Sequence, residues 1–413
     1  MKFPEANTPK LLAIATLQAL TFYAAFQLIF FQENGLNIIQ IALLTIVFSV
    51  TMIALEVPSG ALSDRWVRKH VLSLSILSSI VTLVLLATGD SFIQFAIGMF
   101  FAAVAFVLNS GTNTSILFDS LQEVAATKSF EKYLATRRIL AGAGFAIASL
   151  IGGWTANQYG ISMAIWITLG ALIPALLLSL GLREPIFHKT TGELSYFAHI
   201  GHTARHLTST RYFTNVIALS VVIMTVHIII EEYAQLYYFA IGFSLLAIGI
   251  ISFFEGLKEM VANYLGALMP KLHNLPLMYG YLLLVMAGAL LVSAWQQNIF
   301  GVAALFVASA MFFIIDVPLL GAFHKQLDSS IRATAESFMN LVTELSKMVL
   351  AIAFASIANV YSVQLAFGAL GLMLCLYIVY YWLFVYRVFH EWTCTPAYKT
   401  AEMGSAQLPL GKA

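Results

Sequence analysis

The chain has 413 residues, of which 60% are hydrophobic and 10% charged, against about a quarter charged in an ordinary soluble domain; this excludes water as its main solvent. Its formal net charge of +1 argues for no nucleic-acid partner, since in such a chain it is the placement of charges that carries information. Two cysteines, Cys375 in the last apolar block and Cys394 in the polar tail, offer neither a disulfide framework nor a thiolate metal cage.

The apolar residues fall in blocks of about 20 or more, enough to cross a ~30 Å hydrocarbon layer at about 1.5 Å per residue. The first, Leu11 to Phe31, follows Lys2 and Lys10 but is too long for a signal-peptide core and lacks a small-residue cleavage site, so it reads as a span. Polar and Gly-marked joints place spans near 10–31, 37–63, 70–88, 92–119, 135–156 and 161–182. A second set lies near 212–239, 244–269, 276–294, 299–324, 332–357 and 363–386. The expected fold is an all-α membrane protein, twelve transmembrane helices in two pseudo-symmetric six-helix bundles. Residues 1–182 form the first half, 183–211 a basic cytoplasmic linker, 212–386 the second half and 387–413 a cytoplasmic tail.

With the N-terminus inside, every Lys and Arg except Lys258 and Lys347 lies in a cytoplasmic segment or at a cytoplasmic helix end. The outer connections, such as Gln32 to Leu36 and Asn157 to Gly160, carry none, which puts both termini in the cytoplasm. A repeat supports the division: Gly60-Ala61-Leu62 returns as Gly266-Ala267-Leu268, and Ala156-Asn157-Gln158-Tyr159 as Ala358-Asn359-Val360-Tyr361. Duplicated halves in transporters place the solute site near mid-membrane.

The loop after the second span reads Gly60-Ala61-Leu62-Ser63-Asp64-Arg65-Trp66-Val67-Arg68-Lys69. It resembles the signature Gly-x-Leu-x-Asp-Arg-x-Gly-Arg-Lys of the major facilitator superfamily, with Val67 replacing the usual Gly. Ser110 to Leu121 and Arg332-Ala333-Thr334 are similar to features of a bacterial, drug/proton antiporter-like branch. The resemblance implies a gating latch of Gly60, Asp64, Arg65, Arg68 and Asp119. Gly60 lets helices approach, Asp64 faces the positive N-terminus of another helix, and Asp119 partners the arginines. It also implies an inner (cytoplasmic) membrane location. The fifth span departs from the antiporter pattern, with Ala148-Ser149 where Gly-Pro is usual, and the fourth lacks a buried Arg.

Ionisable residues within spans are functional candidates because they are costly to insert. Glu255 with Lys258, and Glu344 with Lys347, are each three apart and share a helix face. They either neutralise each other locally or exchange partners as a gating or substrate-binding quartet. His227 and Glu231 share a face of the seventh span with no basic neighbour on it, and a carboxylate so placed can load and release a proton. Together with Asp316, which precedes Pro318 in the tenth span, they are the candidates for proton coupling. Gln18, Tyr23, Gln27, Asn109 and Asn113 are further candidates for the solute cavity. His199, His202 and His206 have helical spacing, but their apolar neighbours indicate an interfacial segment rather than a metal site.

No zinc-protease His-Glu-x-x-His, no phosphate-binding Gly-rich Lys loop and no filter-like loop appears, which argues against an intramembrane enzyme, an ATP-driven pump and a channel. The expectation is therefore a monomeric secondary transporter needing no cofactor. It carries a small organic solute by alternating access with protons, with the lipid bilayer as solvent. Its aromatic content of 31 Phe, 17 Tyr and 6 Trp and the branch resemblance point to export of an amphipathic compound. Uptake of a metabolite or metal chelate is the alternative.

Overall fold

The computed structural model describes residues 7–123, 130–184, 210–271, 274–327 and 332–394. Its helices are α1 (Asn7–Ala19), α2 (Gln27–Glu33), α3 (Ile38–Arg65), α4 (Arg68–Ala87), α5 (Phe92–Glu123), α6 (Phe130–Tyr159) and α7 (Ile161–Leu180). After the linker come α8 (Arg211–Ala240), α9 (Leu245–Leu268), α10 (Leu275–Trp295), α11 (Ile299–Gln326), α12 (Arg332–Val360), α13 (Val363–Tyr380) and α14 (Tyr386–Cys394). Among the described residues the architecture is all-helical, and eleven spans, the first made of α1 and α2, are long and apolar enough to cross a membrane. The exception is α9, which carries Glu255, Lys258 and Glu259 within its 24 residues. The linker histidines His199, His202 and His206 lie outside the described residues.

The first span is not continuous: α1 stops at Ala19, a 3₁₀ turn occupies Ala24–Phe26, and α2 begins at Gln27. Neither Pro nor Gly lies in this stretch, so the break has a tertiary cause. Phe22 donates its N–H to the Thr168 hydroxyl of α7 at 3.0 Å, and Leu28 donates its N–H to Gln235 Oε1 at 2.9 Å. Gly152 of α6 faces the Phe22 carbonyl so closely that a Cβ there would collide with it. Side chains thus take over backbone bonds that the helix gives up, the condition on which irregular backbone is tolerated at membrane depth.

The two halves share their corner chemistry. Leu36 N–H bonds the Phe31 carbonyl at 3.1 Å and Gly35 N–H the Gln32 carbonyl at 3.0 Å; Phe243 N–H bonds Tyr238 at 3.1 Å and Gly242 N–H bonds Phe239 at 3.0 Å. Gly35 and Gly242 have φ of 83° and 91°, the left-handed conformation that ends helices by this paired bonding. A side-chain cap opens the next helix each time. Asn37 and Gln40 exchange reciprocal side-chain-to-N–H bonds at 2.9 and 3.0 Å, a capping box. Ser244 Oγ accepts from Ala247 N–H at 3.2 Å.

By contacts the chain forms two compact units. One contains Met1–Leu194, Glu232–Leu257 and Ala351–Val363, and the other Ser195–Glu231, Lys258–Leu350 and Gln364–Ala413. Within the first, α6 crosses α9 at glycines: a Cβ on Gly249 would lie 2.5 Å from the Ser149 carbonyl oxygen and 2.9 Å from Gly153 Cα. Within the second, Gly266 of the repeated Gly-Ala-Leu plays the same part, its would-be Cβ lying 2.8 Å from the Phe313 carbonyl oxygen. Small residues at such crossings let membrane helices approach closely.

Candidate functional site

The second unit gathers polar side chains from three helices around Ser309 of α11. The Ser309 hydroxyl donates to Glu231 Oε1 of α8 at 2.8 Å and lies 3.3 Å from His227 Nδ1, also of α8. Lys258 of α9 donates to the same hydroxyl oxygen at 2.7 Å and to Glu231 Oε1 at 3.3 Å. His227 is stacked on Phe312, ring centroids 4.1 Å apart and planes within 6°, with Phe313 edge-on at 4.8 Å. The imidazole is therefore held flat while its Nδ1 faces the acid, 4.0 Å from Glu231 Oε1. The sequence offers Glu231 no basic neighbour on its own helix. Lys258 supplies one from the following helix, which periodicity along a single helix does not reveal. No pattern in the sequence singles out Ser309 or Phe312; the signal for Ser309 is one small polar residue in an apolar stretch.

The other charged candidates are placed separately. Glu344 and Lys347 form the local pair that their spacing permits, at 2.7 Å, with side chains 16% and 6% exposed. Glu255 instead accepts from the Tyr238 hydroxyl of α8 at 3.1 Å. Asp316 has no hydrogen-bond or ion-pair partner among the described residues and lies about two turns along α11 from Ser309.

In the first unit, Arg68 and Asp119 form an ion pair between the start of α4 and the end of α5. Glu184, unremarked in the sequence, completes this corner: its carboxylate oxygens accept from Arg68 N–H at 2.7 Å and Lys69 N–H at 3.0 Å. That carboxylate sits on the positive N-terminus of α4, the favourable end for an anion. The remaining members of the motif, Gly60, Asp64 and Arg65, are helical in backbone, and their side chains lie outside the described residues. Arg332 closes α11 by donating to the carbonyls of His324 and Leu327, both at 3.0 Å.

A cavity of about 320 Å³ opens inside the first unit. It is lined by Gln18 of α1, by Thr21 and Tyr23 of the helix break, and by Asn109 of α5, with Phe48 and Phe106 among its apolar walls. Gln27 and Asn113 are not part of this lining: Gln27 bonds the Met99 sulfur at 3.5 Å, and Asn113 Nδ2 donates to Asn109 Oδ1 at 3.4 Å. Among the described residues no cluster of three His, Cys, Asp or Glu side chains is arranged to hold a metal ion.

Residues 11–351 match the family model described as Major Facilitator Superfamily. No curated protein matches the sequence. Among solved structures, a mutant of the nucleoside transporter NupG is similar at TM-score 0.76 and 15% identity, covering 91% of this chain and 100% of that one. A bacterial homologue of the human lysosomal transporter Spinster, inward-facing and unoccupied, gives 0.74 and 15%, covering 94% and 98%. A D-xylose-proton symporter gives 0.66 and 13%, covering 92% and 96%. At such identities the likeness speaks for the fold.

Proposed function

The chain belongs to the Major Facilitator Superfamily and is a membrane transporter rather than an enzyme; on that premise we propose that it is a proton-coupled antiporter exporting a small amphipathic compound by alternating access. The observation that carries the coupling is the cluster of Glu231, Lys258, Ser309 and His227. Here a carboxylate, an ammonium and an imidazole share one hydroxyl. Protonation of Glu231 cancels its charge and frees Lys258 from it, while Ser309 keeps hold of Lys258. A proton thus changes the bonding between α8, α9 and α11, a local event able to bias a two-state element. Asp316, on the same helix as Ser309, is a second acid available to the proton path.

In this reading the protein sits as a monomer in a bacterial inner membrane with both termini cytoplasmic, following the distribution of Lys and Arg. The halves are residues 1–182 and 212–386, joined by the linker at 183–211 and followed by the tail at 387–413. The Arg68–Asp119 corner, with Asp64 and Arg65, is the cytoplasmic latch. The Gly153–Gly249 crossing lies toward the outer helix ends and seals them. Solute recognition falls to Gln18, Tyr23 and Asn109 in the first unit, while Glu344 with Lys347 and Glu255 tune the movement. A second reading, uptake of a metabolite or metal chelate with protons, draws on the hydrogen-bonding groups of the same cavity. It differs in the direction in which solute moves the proton.

Membrane vesicles bearing Glu231→Gln test the coupling. The variant is expected to retain solute exchange and lose the pH dependence of net transport. Unchanged pH dependence retires Glu231 as the coupling acid.

A further inference from the structure

The cavity in the first unit combines features that narrow what it accepts. It is built at the break in the first span, and Thr21 and Tyr23, which line it, belong to the irregular segment that Thr168 and Gln235 hold open by bonding Phe22 and Leu28. Irregular backbone persists at membrane depth where it lines a cavity, so this break and this cavity explain each other. The side-chain polar groups of Gln18, Thr21 and Tyr23 have no hydrogen-bond partner among the described residues. The Asn109 amide has only its oxygen engaged, by Asn113 at 3.4 Å. Two carboxamides and two hydroxyls therefore present unused donors and acceptors to one space.

That space also has an apolar side. Phe48 and Phe106 line it and pack edge to face, centroids 5.9 Å apart, beside Leu83 and Leu172. None of the lining residues is Asp, Glu, Lys, Arg or His. An ion entering would meet no counter-charge, and burying an unpaired ion is strongly disfavoured. The volume of about 320 Å³ equals the liquid share of roughly ten waters and lies at the small end of ordinary ligand sites.

We propose that this cavity binds an uncharged amphipathic solute, one ring-sized apolar face against Phe48 and Phe106 and several hydroxyl or amide groups against Gln18, Thr21, Tyr23 and Asn109. The assignment rests on the transport reading for its purpose but not for its test. Charged drugs and charged metal chelates fall outside the class.

The test is equilibrium binding to the purified full-length protein in lipid nanodiscs, with phenyl β-D-glucoside as neutral probe, phenyl β-D-glucuronide as its anionic match and tetraphenylphosphonium as apolar cation. The glucoside is expected to bind at least tenfold more tightly than either ion. Tyr23→Phe and Gln18→Leu should each weaken it about three- to tenfold, the worth of one neutral hydrogen bond. Ala102→Leu, which fills the cavity from α5, should abolish binding while the protein stays monodisperse with wild-type helix content. Failure of the glucoside to bind, equal binding of the ions, or binding indifferent to Ala102→Leu overturns the proposal. Glucoside bound with these sensitivities but not carried across liposomes upholds this site and overturns the transport reading. Carriage unaffected by Ala102→Leu does the reverse.

Discussion

Removing Lys258 should cost more than removing both Lys258 and Glu231. At 3.3 Å and an effective dielectric near 20, the attraction is of order 332/(20 × 3.3), about 5 kcal/mol before desolvation is subtracted. Lys258 is 10% exposed but Glu231 40%, so solvent screens the acid side and the coupling that survives is about 1–3 kcal/mol. Lys258→Met leaves Glu231 with the Ser309 hydrogen bond but no counter-charge, a destabilisation of about 2–4 kcal/mol, toward the lower side for a broken buried pair. Glu231→Gln added to it removes the stranded charge and should restore most of that loss, leaving the double variant within about 1 kcal/mol of wild type. Unfolding by SDS in mixed micelles, run on both single variants and the double, gives the cycle directly. Strict additivity would refute the reasoning, because Lys258 and Glu231 would then not be interacting in the folded protein.

Gly249→Val forces α6 and α9 apart, since even a Cβ would lie 2.5 Å from the Ser149 carbonyl oxygen. It should destabilise by about 1–3 kcal/mol, as overpacking does, and increase labelling, by a membrane-impermeant reagent, of cysteines introduced on the outer side of the solute path; Gly256→Ala, with no neighbour within 4 Å of its added Cβ, should do neither. Thr168→Val takes the acceptor from the Phe22 N–H and should cost about 1–3 kcal/mol for a buried donor left unpaired, read in the same SDS titration, whereas Thr168→Ser should be close to neutral. Asp119→Asn weakens the ion pair with Arg68, and is expected to abolish transport in cells while leaving expression and membrane insertion intact; normal transport would remove the latch from the account. Asp64→Asn, on the shared loop, should behave alike.

Features encoded along a single helix were legible in the sequence. Apolar length marked the spans, and the Glu344–Lys347 spacing gave a pair because both residues ride one face of α12. The duplicated Gly-Ala-Leu reflects a repeat that the matched caps at Gly35 and Gly242 make physical. Features that depend on which helices become neighbours were not legible. Lys258 lies one turn from Glu255 in sequence, yet Glu231 and Ser309, on two other helices, receive its ammonium. The break after Ala19 leaves no mark in Leu20-Thr21-Phe22-Tyr23 because its causes, Thr168 and Gly152, are more than a hundred residues away. Glu184 likewise carries no mark in the sequence, lying within the basic linker, and its role as the cap of α4 emerges only when the end of the first half returns to that corner.

The proposed antiport couples solute movement and proton movement in opposite directions. It is tested most directly by reconstituting the purified protein in liposomes with an internal pH dye and imposing an outward-directed gradient of solute. Uphill proton entry into those carrying wild-type protein, absent with Glu231→Gln, is the predicted result. Solute flux with no change of internal pH would contradict the account, and protons leaving together with the solute would replace export by antiport with symport.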